Sequence, residues 1–275
     1  MYYLIILFLL IWLAWFFINA IPYWNSSYYE ATHKPFLLLL GDTGAYGEYL
    51  TYRYLRGYEK NGAKFLFNCY LPKDNDETSE IDVMMIYRSG IYVFESKNYS
   101  GWIFGSENNK MWTQTLPSGR KSHKERFYNP IMQNRTHIKW LEKQVNPTDP
   151  LHSIVVFSER CVFKKLEITS GDVTVIKRYE VSRVVNEIDG RVGDRLDENR
   201  ISEIYEKLYP NTQVSVELKE KHIENIQNSN KVVSINRCPK CGGELILRTA
   251  KRGANAGNQF YGCSNYPNCR YIQNL

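Results

Sequence analysis

Glu80-Ile81-Asp82-Val83-Met84-Met85-Ile86-Tyr87, then Arg88-Ser89-Gly90, then Ile91-Tyr92-Val93-Phe94-Glu95-Ser96-Lys97 is the stretch whose reading decides the fold. Both arms are rich in β-branched and aromatic residues and flank a turn signal, so they predict a β-hairpin. Side chains alternate faces along a strand, which puts Glu95 and Lys97 on one face. A two-residue loop sets Asp82 directly across from Glu95 or Lys97, and therefore on that same face. A three-residue loop without a bulge moves Asp82 to the other face. The first arrangement gathers two carboxylates and a lysine at the end of an apolar hairpin. Converging carboxylates suit a hard divalent cation such as Mg2+. A neighbouring lysine then stabilises charge on a phosphoryl group or orients a bound water. The competing reading is a surface hairpin with a solvated Asp and a Glu/Lys pair, since charged side chains are mostly exposed.

The residues around the hairpin sharpen this. Asp82 followed by Glu95-x-Lys97 on the next strand resembles the active-site pattern of the PD-(D/E)xK nuclease superfamily. More narrowly, Gly47-Glu48, Ile81-Asp82, the run from Glu95 to Gly101, Trp112, Asn129-Pro130 and Gln133-Asn134 look like the NERD (nuclease-related domain) family. Ile81 stands where the superfamily's name has proline, a departure common in NERD proteins. The resemblance implies a restriction-endonuclease-like mixed α/β core and a metal-dependent deoxyribonuclease. It further implies that Asp82, Glu95 and the Ser96 carbonyl bind Mg2+ or Mn2+, and that Lys97 positions the attacking water. It brings Glu48 to the metal and gives Gln133 a supporting place on a helix. Read on its own, Glu48 is equally a carboxylate in the first turns of a helix capped by Asp42 or Thr43. His137, one turn beyond Gln133, reads as a hydrogen-bonded structural residue.

The chain has 275 residues, a formal net charge of +6 and 43% hydrophobic residues, enough for an anchor and one or two folded modules. Met1 to Ile21 carries no charged side chain, and that length crosses a hydrocarbon core of about 30 Å as a helix. Trp12, Trp15, Tyr23 and Trp24 suit a bilayer interface. A cleaved signal peptide would want a basic n-region, and no Lys or Arg precedes residue 34. The expected organisation is an anchor over 1–24, a linker over 25–35, a nuclease-like domain over 36–210, a second linker over 211–235 and a small module over 236–275. Strand signals from Lys64 to Tyr70, Gly101 to Phe104, Lys110 to Gln114, Ser153 to Phe157, Cys161 to Phe163 and Val173 to Ile176 complete one mixed sheet. Helical patterns run from Ile131 to Lys143, Tyr179 to Glu187 and Asp197 to Leu208. A basic loop between Ser118 and Arg126 (Arg120, Lys121, His123, Lys124, Arg126) is either solvated surface or a phosphate contact.

Cys238-Pro239-Lys240-Cys241 and Cys263-x5-Cys269 carry four thiols as two knuckles, the pattern of a tetrahedral structural Zn2+ site. A core this small needs metal for its folding energy; two disulfides in a secreted domain are the rival. The run from Cys238 to Gly243, with Phe260 to Cys269, resembles the C4 zinc finger of bacterial topoisomerase I tails. That resemblance implies DNA binding, chiefly of single strands. Phe260, Tyr261, Tyr266 and Tyr271 are available for stacking, among Arg248, Lys251, Arg252 and Arg270; alternatively the aromatics form the ribbon's core. Cys69 and Cys161 read as buried thiols. A reduced zinc site and a nucleic-acid ligand favour the cytoplasm, hence one span of the inner membrane with the N-terminus outside. The whole reads as a membrane-anchored, metal-dependent DNase. A catalytically silent DNA-binding tether and an RNA-directed nuclease are the alternatives.

Overall fold

The structure is a computed structural model describing residues 2–74, 77–118, 121–235, 238, 240, 243–250 and 257–274, with the side chains of 118, 121, 228–235 and 274 excepted. It divides into two units, Met1–Val214 and Ser215–Leu275. In the first, α1 (Tyr2–Trp24), α2 (Ser27–Thr32), α3 (Phe36–Gly41) and α4 (Thr43–Leu55) precede β1 (Lys64–Pro72), β2 (Thr78–Tyr87) and β3 (Gly90–Lys97). Then come β4 (Gly101–Ser106), β5 (Met111–Ser118), β6 (Lys121–Tyr128), α5 (Pro130–Glu142), β7 (Leu151–Phe157), β8 (Cys161–Glu167) and β9 (Val173–Lys177). Helices α6 (Val181–Val192) and α7 (Glu198–Leu208) close it, and α8 (Val216–Ile235) with strands β10 (Leu245–Thr249), β11 (Gln259–Cys263) and β12 (Ile272–Asn274) make the second unit.

The hairpin forms with the shorter loop. Tyr87 pairs with Gly90, which leaves Arg88-Ser89 as the two-residue turn. Gly90 has φ +135°, and a Cβ there would stand 2.5 Å from the Pro150 carbonyl oxygen, so this position requires glycine. The five-stranded sheet has the order β1-β2-β3-β7-β9, antiparallel across β1, β2 and β3 and parallel across β3, β7 and β9. Parallel neighbours need a crossover, and α5 lies on the connection from β3 to β7.

Alternation along the strands feeds two apolar layers. Phe65, Phe67, Val83, Met85, Tyr92 and Phe94 face a layer containing Tyr28, Tyr49, Tyr52 and the α6 valines. Leu66, Met84, Ile86, Ile91 and Val93 face Trp140 and Leu141 of α5 and Ile201, Ile204 and Leu208 of α7. Beyond Asn68, whose φ is +49°, the alternation slips, because Cys69, Leu71 and Ile81 join that second layer as well. The slip falls at the step between the Phe67–Val83 and Cys69–Ile81 pairs, where Asp82 stands. Such irregularities re-aim side chains beside functional sites.

Four sequence expectations change. The strands do not complete one sheet: β4, β5, β6 and β8 form a separate four-stranded sheet of order β6-β5-β4-β8. Its inner face buries Ile103 and Trp112 against Ile131, Val155 and Phe157. The basic run at 118–126 is largely strand β6 rather than loop, with Lys124 paired to Thr115 and Arg126 to Thr113. Residues 25–35 are folded, because Tyr28 of α2 is 1% exposed inside the first layer; apolar rings scattered among polar residues hid this. The stretch 216–235 is helix α8.

Helix α1 has 23 residues, a mean hydropathy of 2.7 and little burial, so it is long and apolar enough to cross a membrane. Its last turns are different. Ala20 and Tyr23 are fully buried, and Tyr23 meets the rings of Tyr28, Tyr29, Phe36 and Tyr49 at 5.0–6.4 Å.

Candidate metal and nucleic-acid sites

The hairpin register, carried one residue past Val83–Phe94, sets Asp82 against Glu95. The Ser96 N–H donates to Asp82 Oδ2 at 3.1 Å, tying the two strand ends together. Glu95 is 1% exposed, with its Oε1 2.6 Å from Lys97 Nζ. The Lys97 ammonium is therefore the partner of Oε1. Its Oε2 is held at 3.0 Å by His137 Nε2, and His137 Nδ1 lies 2.7 Å from Ser79 Oγ. Lys97 Nζ donates to Gln133 Oε1 at 3.1 Å. Helix α5 therefore reaches both members of the Glu95/Lys97 pair from successive turns, with Gln133 on one and His137 on the next.

Asn129 makes that aim possible. Its Oδ1 caps α5 by accepting from the Ile131 N–H, while its Nδ2 donates to the carbonyls of Glu107 and Asn109. Pro130 follows at the first helical position, where a missing N–H costs nothing. Asn134 then bonds the Val93 carbonyl and Ser153 Oγ, pinning the helix across β3 and β7.

Glu48 enters from the opposite layer on α4, whose N-cap is Asp42. It is half-buried and accepts from the Tyr28 hydroxyl at 3.0 Å. Gly47 lets α4 approach β3, since a Cβ there would lie 2.7 Å from Asn98 Cβ. Thr51 Oγ1 and Ser96 Oγ meet at 3.2 Å across the same contact.

The electrostatics follow from burial and crowding. Burial, then the carboxylates of Glu95 and Glu48, pushes Asp82 well above the ordinary carboxylate range. Burial also pushes Glu48 up to about 7, with the Tyr28 hydrogen bond offsetting only part of it. Glu95 goes the other way: burial alone would raise it, but Lys97 and His137 hold it below its usual value. Burial alone would lower Lys97, but Glu95 and Asp82 more than reverse this, keeping it an ammonium. Three carboxylates around one lysine leave the pocket short of positive charge. Asp82 and Glu95, set against each other across the hairpin with Glu48 close by, fit a hard divalent cation, which takes oxygen ligands.

Sequence reasoning placed Glu48, Asp82, Glu95, Ser96, Lys97 and Gln133, and the structure brings all six together. It left out His137 and Tyr28. The signal for His137 was its spacing of four from Gln133, which puts both on one helix face.

In the second unit, the Sγ atoms of Cys238, Cys263 and Cys269 lie within 4.8 Å of one another, the only such ligand trio among the described residues. Cys238 and Cys269 are 3.6 Å apart, far beyond an S–S bond. Tetrahedral zinc with Zn–S near 2.3 Å sets sulfurs about 3.8 Å apart, so the trio fits structural Zn2+. Cys241, Lys251, Arg252 and, in the first unit, Arg120 lie outside the described residues, as does the Lys121 side chain. Arg248 on β10 donates from its guanidinium to the Cys263 carbonyl at 3.5 Å. Tyr261 is half-buried against the cysteine core, Arg270 is exposed, and Tyr266 is 61% exposed. Tyr261 thus shares its surface between the ribbon's core and solvent.

The first unit thus joins a mixed α/β core to a cluster of carboxylates around a half-buried lysine, and the second carries a cysteine ribbon. Comparison with known families matches each part. The chain carries a nuclease-related domain over residues 43–158 and a topoisomerase DNA-binding C4 zinc finger over residues 235–275. It is similar to an uncharacterized protein of Bacillus anthracis, 28% identical over 185 residues, covering 67% of this chain and 84% of that one. Over 37 residues it is 51% identical to DNA topoisomerase 1 of Archaeoglobus fulgidus, 14% of this chain but 5% of that enzyme. Over 38 residues it is 50% identical to the uncharacterized protein YrdD of Escherichia coli, 14% of this chain and 18% of that one. No solved structure matches.

Proposed function

We propose that this protein is a metal-dependent nuclease that hydrolyses DNA phosphodiester bonds at a membrane. Helix α1 is the anchor in this reading, over residues 1–24, and the nuclease-like domain and zinc ribbon lie in the cytoplasm as a single-pass inner-membrane protein. The ribbon holds DNA, with single strands favoured, and raises its local concentration at the nuclease pocket.

The observation that carries the reading is the pair of buried Glu95 and half-buried Lys97, braced by Gln133 and His137. Asp82 and Glu95, with the Ser96 carbonyl, are the residues that would hold Mg2+ or Mn2+. Bound there, the ion supplies Lewis-acid polarisation of a phosphoryl oxygen and a more acidic water. Lys97 is charged, so it orients the attacking water and balances the negative charge that grows on the phosphorus oxygens. Gln133 fixes the direction of its ammonium. His137 fixes the orientation of Glu95, and Glu48, steadied by Tyr28, supports the site from the α4 side.

The test uses the full chain in detergent, with zinc retained, Mg2+ or Mn2+ added, and single-stranded DNA, duplex DNA and RNA as substrates. Cleavage that needs the divalent ion and disappears in Asp82→Asn and Lys97→Ala, with binding intact, is the expected result. Binding without cleavage, or variants that cut as well as the parent, would make the protein a nucleic-acid tether instead. Preferential cleavage of RNA would reassign the substrate.

A further inference from the structure

The outer face of the four-stranded sheet takes no part in the pocket described above. Register places Lys124, Thr115, Trp102 and Val162 in one row across β6, β5, β4 and β8. Arg126, Thr113, Phe104 and Lys165 form the next row. Partnered residues share a face, and the opposite face is the one that buries Ile103 and Trp112. On the outer face, Trp102 is 39% exposed and Phe104 half-exposed, while Lys124, Arg126 and Lys164 are exposed. The Lys164 ammonium lies 5.2 Å from the centre of the Trp102 ring. Beside the tryptophan in its row, Thr115 is 3% exposed, and its Oγ1 has no hydrogen-bond partner among the described residues.

An indole with cations to either side of it on one sheet face suits one ligand chemistry, a flat π-face joined to regularly spaced anions. That is a single strand of nucleic acid, whose bases stack on aromatic rings while phosphates meet Lys and Arg. Exposed Lys124, Arg126 and Lys165 stand in the same two rows as the aromatics, so the face offers no continuous apolar surface for membrane insertion. Position also fits. Trp102 follows Lys97 by five residues, at most about 18 Å of chain, and Asn98 between them is clamped by Arg160 and Arg178.

We propose that the outer face of this second sheet is a platform for single-stranded nucleic acid, with a base stacked on Trp102 and flanking phosphates held by Lys124, Arg126 and Lys164. The inference rests on the nuclease reading and deepens it, by assigning how the substrate strand is led to the pocket. It places the affinity for the strand partly in the first unit, rather than wholly in the zinc ribbon.

The test irradiates the full chain in detergent with a single strand carrying 5-iodouracil and maps the crosslinked peptides by mass spectrometry. Alongside, kcat and KM are measured on that strand and on bis(p-nitrophenyl) phosphate for the parent, Trp102→Ala and Trp102→Phe. Expected are a crosslink within Gly101–Ser106 and a KM for the strand raised about five- to a hundredfold in Trp102→Ala. Turnover of the small phosphodiester stays unchanged, and Trp102→Phe restores most of the loss. Crosslinks confined to the ribbon, with strand KM unmoved in Trp102→Ala, would overturn the platform. So would quenching of Trp102 by brominated lipid vesicles without any crosslink. If the parent cleaves neither substrate, the nuclease reading fails, while the crosslink map still decides the platform.

Discussion

A soluble fragment beginning at residue 25 is the obvious preparation from sequence, and the structure says it is damaged. Such a cut removes Ala20 and Tyr23, both fully buried in the core layer they share with the five-stranded sheet. Deleting a buried aromatic side chain costs about 3–5 kcal/mol. Tyr23 also donates to the Lys34 carbonyl at 2.6 Å, and losing that bond adds about 1 kcal/mol. The sum, about 4–6 kcal/mol, is a large share of the roughly 5–15 kcal/mol by which a domain is stable. The cut also uncovers Tyr28, the residue that holds Glu48.

The assay compares fragments starting at 17 and at 25, with Tyr23→Ala made in the longer one. At about 2–4 °C per kcal/mol for a unit of this size, the shorter fragment and the point variant melt roughly 10–20 °C below the longer fragment. Melting temperatures that agree within a few degrees would refute the claim that the foot of α1 belongs to the core. Equal divalent-ion-dependent cleavage by the two fragments would count against the Tyr28–Glu48 link.

Other consequences are narrower. His137→Ala strands Glu95 Oε2 and Ser79 Oγ inside the protein; it should cost about 2–4 kcal/mol on denaturant titration and lower metal-dependent cleavage about 10–100-fold. A ribbon-bound strand should keep its affinity in that variant. Glu48, raised to about 7 from an unfolded value of 4.5, binds more protons folded than unfolded between those values, so the metal-free protein loses stability as pH rises from 4.5 to 7. Glu48→Gln should therefore stabilise the metal-free protein at pH 8 by about 1–3 kcal/mol, and a variant that melts at or below the parent temperature would contradict this. Cys263→Ser should release zinc, cost β10–β12 their protection in hydrogen exchange and weaken strand binding. Hydrolysis of bis(p-nitrophenyl) phosphate should survive that change.

The hairpin and its constellation were legible because their determinants are local. A two-residue turn fixes parity, and parity fixes which side chains meet. The α5 boundary was legible from Asn129-Pro130, a cap followed by a residue that tolerates the first helical position. What stayed hidden depends on distant contacts. Nothing near Tyr28 reveals that Glu48, 20 residues on, accepts its hydroxyl. The split into two sheets turns on Gly101, with φ +74° and the Thr115 carbonyl where a Cβ would sit, and strand propensity alone does not show which edge each strand joins. Basic residues in β6 looked like a loop because charge is a poor guide to an exposed edge strand, where charged side chains discourage stray pairing.

The cost of the pocket bears on what the protein does. Enclosing Glu95 and Lys97 removes two ions from water, at several kcal/mol each, and their attraction does not by itself recover that. An apolar pair of similar volume would hold β3 to α5 at least as well. The chain instead adds Gln133 and His137 to direct the pair. It also sets Asp82 and Glu48 beside it, which raises the electrostatic cost further. A module that only tethers nucleic acid gains nothing from negative charge facing phosphates. A divalent cation removes the repulsion and turns the same carboxylates into an attractive site for a phosphodiester. The strain in the metal-free pocket is therefore an argument for catalysis, and stabilisation of the protein by Mg2+ or Mn2+, lost in Asp82→Asn, is its direct thermodynamic signature.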